Sequence, residues 1–241
     1  MLSALELNRY SRQIPVLGEE GQEKLREARV FVAGAGGLAA SACGYLAAAG
    51  AGLMRIADPD SVDLSNLNRQ IFYRSGDVGR NKAAVLRERL QSLNPHVEIR
   101  TFTALLDDAN ADELVGDSTL LIDALDNFPS RYVLNRIALR RRLPLIHGAV
   151  REFYGQATTV VPGETPCLSC IWSNTPSEAF TPVLGATCGV IGSIQATEAV
   201  KALTGKGVNL LGRLFVWDGL RGEAVFFPLS RNPGCPACGK S

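Results

Sequence analysis

An α/β fold, with a mostly parallel sheet carrying helices on both faces and an antiparallel extension toward the C-terminus, is what the sequence predicts. Three observations carry that expectation. Short apolar runs alternate with helix-period segments through about residue 150. Thr119–Asp123 is apolar almost throughout, the mark of a strand buried on both faces. The stretch VFVAGAGGLAAS (Val30–Ser41) runs from a strand through a glycine-rich turn into a small-residue helix. Strands alternating with helices imply parallel pairing with right-handed crossovers. The 241 residues, 46% hydrophobic and 20% charged, suffice for one large α/β domain or one with a modest appendage. We read a single domain over 1–241, whose first half (about 1–150) is elaborated by the second (about 151–241).

Taken in order, Glu19–Ala28 reads as a short amphipathic helix and Arg29–Ala33 as a strand. Gly37–Ala49 is a helix closed by the breakers Gly50 and Gly52. Leu53–Ala57 is a strand ending at Asp58. Lys82–Leu93 is a helix stopped by Asn94-Pro95, and Val97–Phe102 the strand after it. Beyond the buried strand at Thr119–Asp123 come a helix at Arg131–Arg142 and a strand at Leu145–Gly148. The pattern then changes. Gln156–Val161, Arg213–Asp218 and Ala224–Leu229 read as antiparallel strands around a helix near Val190–Leu203. Pro162–Gly185, rich in Pro, Ser, Thr and Gly, reads as a long loop of the kind that is often functional.

The turn Gly34-Ala35-Gly36-Gly37-Leu38-Ala39 fits G-x-G-x-x-G/A, a Rossmann-like signature. The first glycine allows the tight turn, the second lets backbone N–H groups reach phosphate, and the third small position lets helix pack on strand. Asp58 and Asp60 follow at the end of the next strand, the place of a ribose-hydroxyl acceptor. NAD and ATP share adenosine and phosphates, so the turn does not choose between them. The segment Asp58–Gln70 leans toward ATP, being dense in polar groups where a dehydrogenase would continue into a crossover helix. Arg69 offers a planar multidentate donor and Lys82 a compact cation, a pair suited to a triphosphate. Asp126 follows the buried strand at its carboxyl end, where a carboxylate could hold Mg²⁺ across phosphates. The bland alternative makes Arg69 and Lys82 surface cations and Asp126 a helix cap. Hydride transfer lacks an acid–base partner: His96 lies in a turn and His147 in an apolar strand, and both read as structural.

Cys167/Cys170 and Cys235/Cys238 form two CxxC pairs with the spacing of a tetrahedral zinc site. With no water-bearing position evident, such a site is structural. The alternative is incidental thiols or a redox pair. Cys43 reads as a packing residue. A net charge of +1 gives no bulk case for nucleic acid or an anionic membrane. The N-terminus has no basic-then-apolar leader pattern, and the apolar run Leu38–Met54 is broken by glycines, so a cytoplasmic protein is expected.

Together the stretches RYSRQIPVLGEEGQEKL, VFVAGAGGLA, DSVDLSNLNRQ, GRNKAA, IDALDN, GVIGSIQATEAVK and NPGCPACG resemble, in this order, the MoeB/ThiF/HesA family of adenylyltransferases, bacterial relatives of the ubiquitin-activating enzymes. The resemblance spans essentially the whole chain and is strongest to the molybdopterin-synthase (MoeB) type, through NPHVEI, TALLDDA and the NPGCPACG tail. It implies adenylation, with ATP and Mg²⁺, of the C-terminal glycine of a ubiquitin-like sulfur carrier ending in Gly-Gly. Carried over, Gly34, Gly36 and Gly37 cradle the nucleotide, Asp60 binds ribose, Asn66, Arg69 and Lys82 contact phosphates, and Asp126 holds Mg²⁺. Arg12 matches an arginine finger that reaches the neighbouring subunit's phosphates, which implies a homodimer.

Many relatives carry a cysteine in a crossover loop that can bond covalently to the carrier. The matching place here, Ser177–Phe180, has none. Cys188 lies nearer the following helix and reads as a packing residue, with a reactive thiol as the alternative. The resemblance therefore implies an enzyme that stops at the acyl-adenylate, with a separate persulfide donor. Competing readings are an NAD(P)-dependent oxidoreductase and a non-catalytic zinc-stapled scaffold. Within the family, the carrier could serve molybdopterin, thiamine or another pathway, or the substrate could be a peptide.

Overall fold

The computed structural model describes residues 2–172 and 182–239. Its helices are α1 (Ala4–Arg9), α2 (Ile14–Glu27), α3 (Gly37–Ala49), α4 (Lys82–Leu93), α5 (Ala111–Val115), α6 (Phe128–Arg141), α7 (Leu168–Ile171) and α8 (Gly185–Thr204). Its strands are β1 (Arg29–Ala33), β2 (Leu53–Ala57), β3 (Glu98–Phe102), β4 (Leu120–Asp123), β5 (Leu145–Arg151), β6 (Tyr154–Val160), β7 (Arg213–Asp218) and β8 (Glu223–Pro228).

One eight-stranded sheet results, in the order β3-β2-β1-β4-β5-β6-β7-β8. Pairing is parallel from β3 to β5 and antiparallel from β5 to β8, as the change of pattern near residue 150 predicts. The chain winds outward from β1 to β3 in one direction, then returns to lay β4 on the other side of β1. The order reverses between β1 and β4, so a crevice opens at their carboxyl ends, the usual ligand position in such sheets.

Both faces of the central strands are buried. In β1, Val30 and Val32 join a core with α3, α4 and α8, while Phe31 and Ala33 join a second core with α5 and α6. A strand covered on both sides cannot alternate apolar with polar, which is why β1 and β4 read as continuous apolar runs. Helix ends follow their punctuation. Asn81 caps α4 by accepting from Ala84 N, Asn127 caps α6 through Ser130 N, and Gly50 closes α3 in the left-handed conformation at φ 86°.

Several boundaries differ from the sequence expectation. α2 begins at Ile14, with a kink at Gly18, so the expected helix from Glu19 is its second segment. β5 and β6 meet near Arg151 and Tyr154 in a tight hairpin, which draws residues on either side of the turn into the ladder. The expected loop Pro162–Gly185 contains the four-residue α7, fixed where Asn135 Oδ1 accepts from Leu168 N. Ser177–Phe180, the place of the missing loop cysteine, lies outside the described residues. Among the described residues no helix is long and apolar enough to cross a membrane.

Candidate functional site

The turn after β1 meets the segment after β4 at the reversal point. Gly34 holds φ +99°, and a Cβ there would fall 2.7 Å from the Ala124 carbonyl oxygen. Glycine is required here on both counts. The N-cap of α3 is Gly36, and no side chain caps the first-turn N–H groups by a hydrogen bond. Those donors, at the positive end of a 13-residue helix, are arranged for an anion. A Cβ on Gly37 would come 2.8 Å from Cys188 Sγ, so Cys188 fills the space behind the turn. It is buried, and burial raises its thiol pKa. Cys43 is fully buried as well, its thiol pushed up to about 12.

Asp58 is the turn's organiser. Its Oδ2 accepts from Ala35 N at 2.7 Å and its Oδ1 from Asp60 N at 2.9 Å. Burial raises its carboxyl above the ordinary value, against those two N–H donors. From the other side the Tyr73 hydroxyl donates to the Ala35 carbonyl at 2.6 Å. Tyr73 escapes sequence reading because its bond spans 38 residues and follows no local pattern. Asp60 separates from Asp58 in role: its carboxylate, 62% exposed, pairs with Lys82 Nζ at 2.8 Å, while the Lys82 side chain is 9% exposed. Asn66 spends its carbonyl oxygen on Asp63 N at 3.0 Å. Arg69 is half-buried, its guanidinium donating to the Ser65 carbonyl at 2.8 Å and to Asn68 Oδ1 at 3.3 Å. Its guanidinium makes no carboxylate ion pair among the described residues.

Asp126 stands exposed just beyond β4, with no partner among the described residues. The loop carrying it is clamped from below. Asp123, fully buried, accepts from Arg131 Nε at 2.8 Å, from His147 Nδ1 at 2.6 Å and from Leu125 N at 3.1 Å. Arg131 also donates to the Leu125 carbonyl at 2.6 Å. His147 is structural, as its apolar strand implies, and His96 lies in the turn before β3, its N–H bonded to Asn94.

Arg12 is not brought to this crevice. Its neighbours tie it to the far end of α3: Gln13 donates to the Ala49 carbonyl at 2.9 Å, and a Cβ on Gly50 would strike the Tyr10 hydroxyl. Thirteen helical residues, about 20 Å, separate that end from the glycine turn.

Cys167, Cys170, Cys235 and Cys238 converge, their sulfurs all within 4.8 Å of one another. Sγ–Sγ separations are 3.9 Å for Cys167–Cys170, 3.7 Å for Cys167–Cys235 and 3.3 Å for Cys170–Cys238. A tetrahedron of thiolates around a metal at ~2.3 Å has edges of about 3.8 Å. The four could therefore hold a metal ion, which would tie the C-terminal tail to α7.

The ThiF family model matches residues 10–237. The SAMP-activating enzyme of Haloferax volcanii is 43% identical, with 99% of this chain and 91% of that protein covered. The molybdopterin-synthase adenylyltransferase of Escherichia coli is 39% identical, with 99% of each covered. Among solved structures, Escherichia coli MccB crystallised with ATP superposes with a TM-score of 0.85 at 23% identity, over 98% of this chain and 75% of that one, a likeness of fold.

Proposed function

The chain belongs to the ThiF family, and from that membership we propose that it adenylates the C-terminal glycine of a small ubiquitin-like sulfur-carrier protein, consuming ATP and releasing pyrophosphate. The supporting observation is the company of the glycine turn. The segments that follow β1, β2 and β4 at the reversal point carry the α3 N-terminus without a side-chain cap, Arg69, Lys82 and Asp126. Among the described residues Arg69 has no carboxylate partner and Asp126 no partner at all. That set suits a polyphosphate with its magnesium rather than a dinucleotide's pyrophosphate bridge. A histidine acid–base partner for hydride transfer is not evident, since His147 is buried against Asp123 and His96 lies in the turn before β3.

In the reaction the carrier's carboxylate oxygen attacks the α-phosphorus of ATP, the bond to the β-phosphate oxygen breaks, and pyrophosphate leaves. Positioning and charge neutralisation are what the chain supplies. Gly34, Gly36 and Gly37 admit the phosphates to the α3 N-terminus, and Asp58 sets the turn's shape. Asp60 accepts from the ribose, releasing Lys82 toward phosphate. Asn66 and Arg69 take up the charge that builds on the departing pyrophosphate. Magnesium held by Asp126 would supply further neutralisation across the phosphates. The direct test is ATP–pyrophosphate exchange against a panel of carriers ending in Gly-Gly, from molybdopterin and thiamine pathways alike. Exchange with at least one carrier supports the reading, and exchange with none sinks it.

Arg12 completes the site of a second subunit in this reading, because its own crevice is out of reach. Arg12→Ala and Asp126→Ala homodimers are then each inactive. Re-equilibrated together they regain about a quarter of wild-type exchange, from the one intact site of each mixed dimer. No recovery on mixing would place Arg12 elsewhere. Sulfur delivery falls to a separate persulfide donor, since Cys188 is buried behind the turn and its thiol is held protonated.

We assign zinc to the four cysteines, since an all-thiolate tetrahedral set suits a closed structural zinc site. The reducing cytoplasm suits the same set. Freshly purified protein should contain one zinc per chain, and Cys235→Ser almost none, with the tail beyond Asn232 becoming protease-sensitive. Wild-type protein free of zinc would refute the assignment.

A further inference from the structure

Outside the crevice, a groove of about 790 Å³ runs along α6, bounded by the cysteine-held tail. Four arginines line it: Arg136, Arg140, Arg142 and Arg231. No acidic side chain lines it among the described residues, although the whole chain is almost neutral at +1. Tyr132 and Trp172 close one end, joined where the Tyr132 hydroxyl donates to the Trp172 carbonyl at 2.7 Å.

The four guanidinium groups are held in different ways. Arg136 and Arg140 follow Tyr132 at four-residue steps and share its helix face. Arg136 makes a two-point contact with Asp108 and Arg140 a single one with Asp112, both exposed to solvent and both leaving N–H donors over. Arg231 donates to the carbonyls of Gly163 and Cys238 at 2.9 and 3.1 Å, so backbone fixes its orientation without cancelling its charge.

Arg142 is the informative one. It caps the C-terminus of α6 in the left-handed conformation at φ 54°, where glycine is the unstrained choice. Its side chain makes no ion pair or hydrogen bond among the described residues. A strained backbone kept for a side chain with no structural partner points to a role for that side chain.

We infer that this groove binds an extended acidic segment of a partner protein. From Tyr132 to Arg142 the helix advances about 15 Å, the length of four or five extended residues. Carboxylates spaced along such a strand can meet Arg136, Arg140, Arg142 and Arg231 in turn, which a single small anion cannot do. α6 starts two residues after Asp126 and runs away from the crevice, so the Tyr132 end of the groove is the end nearer the crevice and the Arg142 end the farther one.

The test uses the full chain, saturated with Mg-ATP, and fluorescein-labelled hexaglutamate followed by anisotropy. Saturable binding that weakens with salt is expected. Affinity should fall roughly tenfold in Arg142→Gly and further in the Arg136→Glu/Arg142→Glu double variant, with ATP–pyrophosphate exchange unchanged. Arg142→Gly should also melt at the same temperature as wild type or higher, since it relieves the strained cap. Absence of saturable binding, equal affinity in all three proteins, or displacement by inorganic triphosphate or short duplex RNA at lower concentration than by unlabelled hexaglutamate would each overturn the assignment.

Discussion

Arg69→Ala is expected to lower carrier-dependent ATP–pyrophosphate exchange by about 10²–10³-fold while leaving melting temperature and circular dichroism unchanged. Arg69 is half-buried, but its guanidinium meets only the Ser65 carbonyl and the Asn68 side-chain oxygen, both in exposed contacts, so truncation strands no buried partner. On the proposed mechanism, what it removes is charge at the place where the departing pyrophosphate gains charge. The loss should appear in the rate at saturating ATP more than in apparent ATP affinity, because the interaction strengthens as pyrophosphate separates. Lys82→Ala and Asp126→Ala should lose exchange likewise. Lys82 is the less clean probe, since its side chain is nearly buried beside Asp60. A folded Arg69→Ala protein with near-normal exchange would remove Arg69 from the reaction.

Asp123→Asn carries the largest expected effect on stability. The carboxylate is fully buried, and the amide that replaces it carries no charge to balance Arg131, whose side chain is 5% exposed. Breaking a buried ion pair by removing one partner costs about 3–5 kcal/mol. In a domain of this size that is a fall of roughly 10 °C in melting temperature. Burial alone would raise the Asp123 pKa, but Arg131 and His147 outweigh it and hold the carboxyl below its ordinary value. Burial lowers the His147 pKa, with Asp123 opposing. Both folded-state values are thus depressed, so their stabilisation is present above the unfolded values and is lost on acidification. Loss should begin below about pH 6.5, where the unfolded chain's His147 takes a proton that the native state refuses, and steepen below about pH 4, where Asp123 must protonate. In Asp123→Asn the lower limb of that profile should become shallower, with the part owed to other depressed carboxyls such as Asp77 and Glu198 remaining. A melting temperature within about 2 °C of wild type would show that the network stabilises nothing.

Much of this architecture is legible from residues alone. β1, α3, β2 and α4 fall where periodicity and punctuation place them, because each combines a clear apolar rhythm with a glycine or asparagine at its end. The short helices α1, α5 and α7 are illegible, since four to six residues give no period to read. CxxC spacing located the cysteine cluster, metal-ligand spacing being a local property.

The crevice is legible in its residue types and not in its wiring. Asp58 and Asp60 are two residues apart at one strand end, yet one shapes the turn and the other holds Lys82. Which of two neighbouring carboxylates faces inward depends on how β2 exits the sheet, which sequence does not encode locally. Arg131 is the first residue of the helix the sequence suggests there, and its side chain turns inward to Asp123. His147 reads as a lone polar group in an apolar strand, and its partner Asp123 comes from β4, which pairs with β5 in a register that sets the two side by side. Distance explains Arg12: only the folded chain puts it at the far end of α3 from the glycine turn.

The central claim is that the nucleotide at VFVAGAGGLAAS is broken between its α- and β-phosphates with its adenylyl group passed to a carrier's C-terminus. Intact-mass analysis of a Gly-Gly-ending carrier, incubated with the chain, Mg-ATP and inorganic pyrophosphatase and then treated with hydroxylamine, reads this directly. The account predicts a carrier converted to its C-terminal hydroxamate in step with AMP release, and no conversion with Arg69→Ala. Bound nucleotide with an unmodified carrier and no AMP release would contradict it.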